Sequence, residues 1–492
     1  MKNVQPKGLD FTKDEFVRHL SRAAELVVAL HRDLDTRPVV PPSTVGEVNS
    51  LFDEPLPDSG ADMSMLLDRV EDDVFPNSTA SIGPNFHGYV VSGGNQVGVI
   101  ADLLASALDQ NAGKWHLGPA AAELELRVVR WVAEFIGYPP ESAGILVSGG
   151  SAANLTCLKV ARDAHSSYDV RIKGLRPGLQ KTFYVSVEGH SSLDKSVDHL
   201  GIGREYLRKI PVRDDFTIDS DKLEEEILAD RDAGLSPACI IGNAGTVNTG
   251  AVDPLGVLAN IAEKYGMWFH IDAVYGGPAA KVGLVSGLFA GIDRADSMAT
   301  DAHKWFYAPY EAGIAFVRKA DQLKTAFSVV PDYLREGSAE DRFDASEYHF
   351  QLSRNFKALR LWMAFKAFGS RRLRAAIEGN IRTIGHLSRL VDASGDFERL
   401  APAPLSIVCF RYRTEDRTLW TSDEYLSRLN RTMLAEVERD GRVFISGTII
   451  NGKQALRACS VNHRTSSRHM EYLLEVLRDI GKKIHSTSST QP

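Results

Sequence analysis

A chain of 492 residues exceeds what one hydrophobic core supports and predicts two or three domains. Its 43% hydrophobic and 25% charged residues are those of a globular protein, and a formal net charge of −7 gives no electrostatic case for nucleic acid or an anionic membrane as partner. Four cysteines, Cys157, Cys239, Cys409 and Cys459, lie far apart with no CxxC pair, which argues against a disulfide framework or zinc knuckle and suits a reducing, cytoplasmic setting. The N-terminus has no apolar signal core, and no run of about 18 apolar residues occurs, so the chain reads as neither exported nor membrane-spanning.

Thr12 followed by Glu15 has capping-box spacing, and Phe16, Leu20, Ala24, Val27 and Leu30 then mark one stripe of a helix. A proline-rich extended arm, "TRPVVPPSTVGEV", follows. One amphipathic helix with an arm cannot bury its own stripe, so it must pack on the body of the protein or on a second subunit. This segment, 1–85, is the first predicted unit.

From about residue 86 the pattern alternates between strands and helices. "ELELRVVRWVAEFIGYPP" sets Leu124, Val128, Trp131 and Phe135 on one helical face, with Gly137 and Pro139 as the stop. "GILVSGGSAANLTCLKVAR" reads as strand, glycine turn and helix. "KTFYVSV", "ACIIGNAGT", "MWFHIDAVYGG" and "GIAFVRK" are further apolar strands, and "DPLGVLANIAEKYG" is a helix with Asp253 as its cap and Pro254 at its first position. Apolar strands alternating with helices predict an α/β domain over 86–370 with a mainly parallel sheet covered on both faces. Residues 371–492 carry long helices around "SIVCFRYR", "RVFISGT" and "QALRACSV", a smaller α+β unit.

In a parallel sheet, ligands bind beyond the carboxyl ends of the strands, and four polar features fall there. Gly149-Gly150-Ser151 opens a helix after "ILV"; it suits either an anion cradle or a tight turn. Asp272 ends "MWFHID", where a carboxylate needs a cationic partner. A metal reading of His270 with Asp272 lacks the HExxH spacing and further histidines, so no metal is expected. His190 follows "FYVSV". Lys304 sits in "TDAHKWFYAPYEAG", where its stem either packs on Trp305 with its charge in solvent, or its amine is desolvated and nucleophilic. Together an anion cradle, a lone acid, a flat imidazole and an amine match the needs of pyridoxal 5′-phosphate (PLP): phosphate, ring nitrogen, ring face and aldehyde.

The series "VSGGSAANL", "GHSSLDKS", "NAGTVNTGAVDP", "HIDAVYGG" and "DAHKW", in this order and spacing, resembles the group II PLP-dependent decarboxylases, which include aromatic-L-amino-acid decarboxylase and glutamate decarboxylase. The likeness runs from "VVPPSTVGEV" to "LRACSVNHRTSSRHMEYLLEVL". It implies the fold type I PLP-dependent transferase architecture with a seven-stranded sheet, and a homodimer in which the N-terminal helix and arm are exchanged. It also implies that Lys304 takes the cofactor aldehyde and Asp272 holds the ring nitrogen protonated. His190 stacks on the ring and Ala273 packs its other face. Gly150 and Ser151 bind the phosphate with His303 close by, and Thr246 lies beside Asp272 and the phenolic oxygen. The polar stretch "VVPDYLREGSAEDRFDASEYH" is similar to the family's catalytic loop, in which Tyr333 would return a proton to the substrate Cα. Relatives that make aldehydes carry phenylalanine there, so tyrosine implies simple decarboxylation of an L-amino acid to its amine.

Asp301-Ala302 departs from the Asn-Pro of many relatives. Phe86, His87, Tyr89, Trp115 and His116 give an aromatic wall with no extra arginine, which favours an aromatic substrate over an acidic one; an aldehyde synthase or carbon–carbon lyase on this scaffold is the other alternative. Arg354 meets either a substrate carboxylate or a structural partner.

Overall fold

A computed structural model describes residues 8–176, 178, 180–329 and 342–488. Its first helix, Lys13–Arg32, begins at the predicted capping box: the Thr12 side chain accepts from the Glu15 amide and the Glu15 carboxylate accepts from the Thr12 amide. The predicted apolar stripe is drawn inward only at its C-terminal end, where Val27 and Leu30 are half-buried. Phe16 is 56% and Leu20 38% exposed, while His19 and Leu26 are the helix's buried residues.

Seven strands form the large sheet: β1 (Ala143–Val147), β2 (Lys181–Ser186), β3 (Leu207–Ile210), β4 (Ser236–Asn243), β5 (Trp268–Asp272), β6 (Ser297–Asp301) and β7 (Gly313–Val317). Their order is β1-β7-β6-β5-β4-β2-β3. The pairs from β3 through β6 are parallel, and β7 runs antiparallel to both β6 and β1, so it is the one reversed strand of this sheet. Strand alternation sends Leu146, Tyr184, Ile240 and Phe269 into one core and Ile145, Phe183, Ile241 and Trp268 into another, which explains why these strands read as continuous apolar runs.

A smaller antiparallel sheet lies C-terminal: β8 (Phe397–Arg399), β9 (Ile407–Tyr412), β10 (Ser446–Ile450) and β11 (Lys453–Cys459), in the order β10-β11-β9-β8. The helices Ala358–Ala393, Asp423–Asp440 and Ser467–Ser488 cover it, the first broken at Gly369, where φ is 68°. The protein is therefore α/β, with a seven-stranded, mostly parallel sheet and a smaller C-terminal sheet.

One capping expectation fails. The helix Leu255–Tyr265 is preceded by Pro254, and Asp253 is instead wholly buried, accepting from the amides of Ile218 and Asn243 and from the Asn243 side chain at 2.8–2.9 Å. Burial pushes its carboxyl up to about 6.

Candidate active site

β1, β2, β5 and β6 point the same way, so their carboxyl ends open on one edge of the sheet, and a cleft of about 380 Å³ lies there. Gly150, Ser151, His190, Thr246, Asp272, His303 and Lys304 all line it, which brings together seven of the predicted site residues.

Lys304 follows the end of β6. Its neighbour Trp305 is fully buried, donates to Asn380 Oδ1 at 3.2 Å and lies against Tyr275; Tyr307 donates to the same oxygen at 2.8 Å. The aromatic side of the motif thus anchors this turn in the core, and Lys304 falls on the cleft side. Its Nζ has no hydrogen bond or ion pair among the described residues. Desolvation lowers its basicity, opposed by the carboxylates of Asp301 and Asp272. Lys304 is half-buried in the cleft wall, which favours the desolvated reading over a charge held in solvent.

Gly150 has no room for a side chain: a Cβ would sit 2.4 Å from Val274 Cγ1. Its amide donates to Asp301 Oδ2 at 2.8 Å, and Asp301 Oδ1 lies 2.7 Å from His303 Nδ1. The carboxylate that replaces the usual Asn therefore ties the helix N-terminus to the lysine turn. Gly150 contributes close approach, and its amide is already engaged; Ser151 stands exposed in the cleft.

Asp272 is 8% exposed; its Oδ2 accepts from Asn154 Nδ2 at 3.0 Å and its Oδ1 from the Val274 amide at 3.2 Å. His190 caps the helix Ser191–His199, its Nδ1 accepting from the Ser192 amide at 3.1 Å. Desolvation lowers its basicity, with Asp272 opposing and Lys304 assisting.

Several expectations need correction. Ala273 is fully buried on the far side of the sheet, where it crowds Gly277, and Val274 lines the cleft in its place. The strand ends at Asp272, and the turn that follows sets which of the two faces inward. Thr246 lines the same cleft as Asp272, and its hydroxyl engages Thr249 and the Ala251 amide. Arg354 is a structural partner: it donates to Glu125 and to the Leu146 carbonyl, both at 2.6 Å, deep in the core. None of the five aromatic-wall residues lines the cleft of the described chain. Phe86 stacks on Phe444 at 4.9 Å, His87 is wholly buried and Trp115 donates to Glu123; Val90 is the residue of that segment in the cleft. Tyr333 lies outside the described residues.

Asn154 was not singled out in the sequence. It lies four residues after Gly150, on the inward face shared with Ala153, Cys157 and Leu158, so a polar residue at helical spacing from the glycine turn was the available signal. Among the described residues no group of His, Cys, Asp and Glu is placed to hold a metal, and no helix is long and apolar enough to cross a membrane.

The cleft fits PLP: an unpaired amine, a buried carboxylate, an imidazole in the wall and a helix N-terminus whose first residue tolerates no Cβ. Fold and site together define a PLP-dependent enzyme. The family described as the pyridoxal-dependent decarboxylase conserved domain matches residues 46–413. An aromatic-L-amino-acid decarboxylase of Bacillus atrophaeus is 31% identical, with 97% of this chain and 98% of that protein aligned. A phenylacetaldehyde synthase of Arabidopsis thaliana is 28% identical, at 97% and 98% coverage. Among solved structures, Oryza sativa TDC with PLP and tryptamine superposes with a TM-score of 0.91 at 24% identity, covering 97% of this chain and 100% of that one, a likeness of fold. The chain belongs to the pyridoxal-dependent decarboxylase family and is a PLP-dependent carboxy-lyase.

Proposed function

We propose that the protein converts an aromatic L-amino acid to the corresponding amine and CO₂. One observation carries the choice of substrate class: Val90, Val247, Val274, Tyr275 and Tyr310 line the cleft, and Lys304 is the one lysine or arginine among its described lining residues. An acidic side chain would enter without a cation to pair it, at a desolvation cost of several kcal/mol by order of magnitude. An aromatic side chain meets apolar surface.

PLP supplies an aldehyde for an amine and a ring that withdraws electrons from the carbon losing CO₂. Lys304, made less basic by burial, would provide that amine, and its lowered basicity favours the nucleophilic form. Asp272, fixed through both oxygens, pairs with the ring nitrogen. His190 and Val274 confine the ring. Ser151, with His303 nearby, receives the phosphate at the helix N-terminus, and the Asp301 carboxylate holds His303 in place. Tyr333 returns a proton to Cα, which selects amine over aldehyde. The exposed apolar residues Phe16, Val17, Ile100, Leu103 and Leu104 support a homodimer that buries the first helix and the helix Gln96–Leu108. Four buried free cysteines suit the cytoplasm.

The test is a panel of L-tryptophan, L-tyrosine, L-phenylalanine, L-glutamate and L-aspartate, with CO₂, amine, aldehyde and peroxide all measured. Aromatic substrates should give CO₂ and amine in equal amounts. Preferential turnover of glutamate or aspartate would overturn the substrate class; aldehyde with peroxide would favour the synthase alternative, a reading the Arabidopsis relative keeps in view.

A further inference from the structure

Trp268, His270 and Asp272 share one face of β5, and two neighbours link them: Ser297 on β6 and Asn154 on the helix Gly150–Ala164. Trp268 Nε1 lies 2.7 Å from Ser297 Oγ, which lies 2.9 Å from His270 Nδ1. His270 Nε2 lies 3.0 Å from Asn154 Oδ1, and Asn154 Nδ2 lies 3.0 Å from Asp272 Oδ2. All five side chains are buried.

The carboxylate end dictates the direction of the bonds that follow from it. An ionised carboxylate only accepts, so Asn154 turns its NH₂ to Asp272 and its carbonyl to His270. That carbonyl needs a donor, so the imidazole proton is on Nε2. A neutral ring protonated on Nε2 leaves Nδ1 bare, so Ser297 Oγ, which accepts from the Trp268 indole, gives its own proton to Nδ1. A neutral His270 with this one tautomer satisfies all five groups. A second proton on Nδ1 would place a cation in a fully buried ring whose two partners, Ser297 and Asn154, are both uncharged. The bare Nδ1 that this pattern requires is consistent with burial lowering the imidazole to about 4.

We propose that this chain is a directional hydrogen-bond relay that makes His270 and Asn154 positioning residues for the Asp272 carboxylate. The proposal rests on the reading of Asp272 as the partner of the cofactor ring nitrogen. Without the His270 N–H, the buried Asn154 carbonyl loses its donor, and the amide is held only through its NH₂, by Asp272 and by Ser192 Oγ at 3.3 Å. An amide anchored at one end alone no longer fixes the position of the carboxylate.

Three variants and one spectrum test it on the full-length chain. His270→Phe removes both ring nitrogens, whereas His270→Gln keeps an amide N–H able to reach Asn154. PLP affinity, titrated by absorbance on cofactor-stripped protein, should fall about 10-fold or more in His270→Phe and return to within a few-fold of wild type in His270→Gln. In an Asp272→Asn background, His270→Phe should add no further loss. Additive losses overturn the relay while leaving Asp272 as the cofactor's partner; unchanged affinity in Asp272→Asn alone overturns that partner assignment and the relay with it. Independently of any variant's folding, protein labelled with ¹⁵N in the histidine rings should show His270 with a protonated Nε2 and a bare Nδ1 at neutral pH. The opposite tautomer, or a doubly protonated ring, overturns the relay whatever Asp272 does.

Discussion

Gly150→Ala separates the role of close packing from that of helix propensity. Position 150 opens a helix, where alanine in place of glycine would ordinarily stabilise by up to about 1 kcal/mol. Here the new Cβ would sit 2.4 Å from Val274 Cγ1, 2.8 Å from Cγ2 and 3.2 Å from Cβ. Relief requires a movement of about 1 Å, because ordinary carbon contacts lie near 3.5–4.0 Å. Val274 donates its amide to Asp272, so the displacement reaches the carboxylate as well as the helix N-terminus. Overpacking of this kind costs about 1–3 kcal/mol, which predicts a loss of PLP affinity between about 5-fold and 150-fold. Val274→Ala removes the two clashing methyls, so the double variant should recover most of the loss. The assay is PLP titration of cofactor-stripped protein for both single variants and the double, with urea unfolding beside it. Unchanged affinity in Gly150→Ala, or a double variant no better than the single, would refute the packing argument.

Two further predictions concern Tyr333 and acid stability. Tyr333→Phe should cut amine formation by at least about 100-fold while substrate binding changes little, with aldehyde and peroxide appearing under air; undiminished amine with no peroxide would move the proton donor elsewhere. His87, His270, His349 and His463 are pushed down to about 3 to 4 by burial, against an unfolded value near 6.5, so between pH 6 and 5 these side chains bind protons in the unfolded chain and not in the folded one. Asp253, raised to about 6, acts in the opposite sense, but the buried histidines outnumber it, so stability should fall as pH falls through this range. Urea midpoints measured across this range should drop steeply, and less steeply in His87→Phe; a flat profile would contradict the buried neutral histidines.

The cleft was legible where chemistry and position coincide. Asp272 and Lys304 carry charge next to apolar strands, and a charge there demands a partner or a task. Residues whose role depends on a single backbone turn were not legible. Ala273 and Val274 are adjacent, similar in character, and exchanged between core and cleft by the turn after β5. β6, "SMATD", is buried along its whole length yet is absent from the apolar runs that read as strands, because neighbours on both sides supply the apolar surroundings its own residues lack. Arg354 offered two readings that differ only in which element folds over it, and Glu125 sits far away in sequence. The exposed stripe of the first helix was legible as unpartnered, because an isolated amphipathic helix must find its cover outside itself.

The active site stands or falls with Lys304 as the residue that holds the cofactor. Borohydride reduction of the PLP-loaded protein, followed by digestion and mass spectrometry, makes that attachment permanent and locates it. The reduced pyridoxyl group should be found on Lys304 alone, and Lys304→Ala should bind no cofactor covalently and release no CO₂ in steady state. Label on another lysine, or turnover by Lys304→Ala near the wild-type rate, would contradict the assignment of the active site.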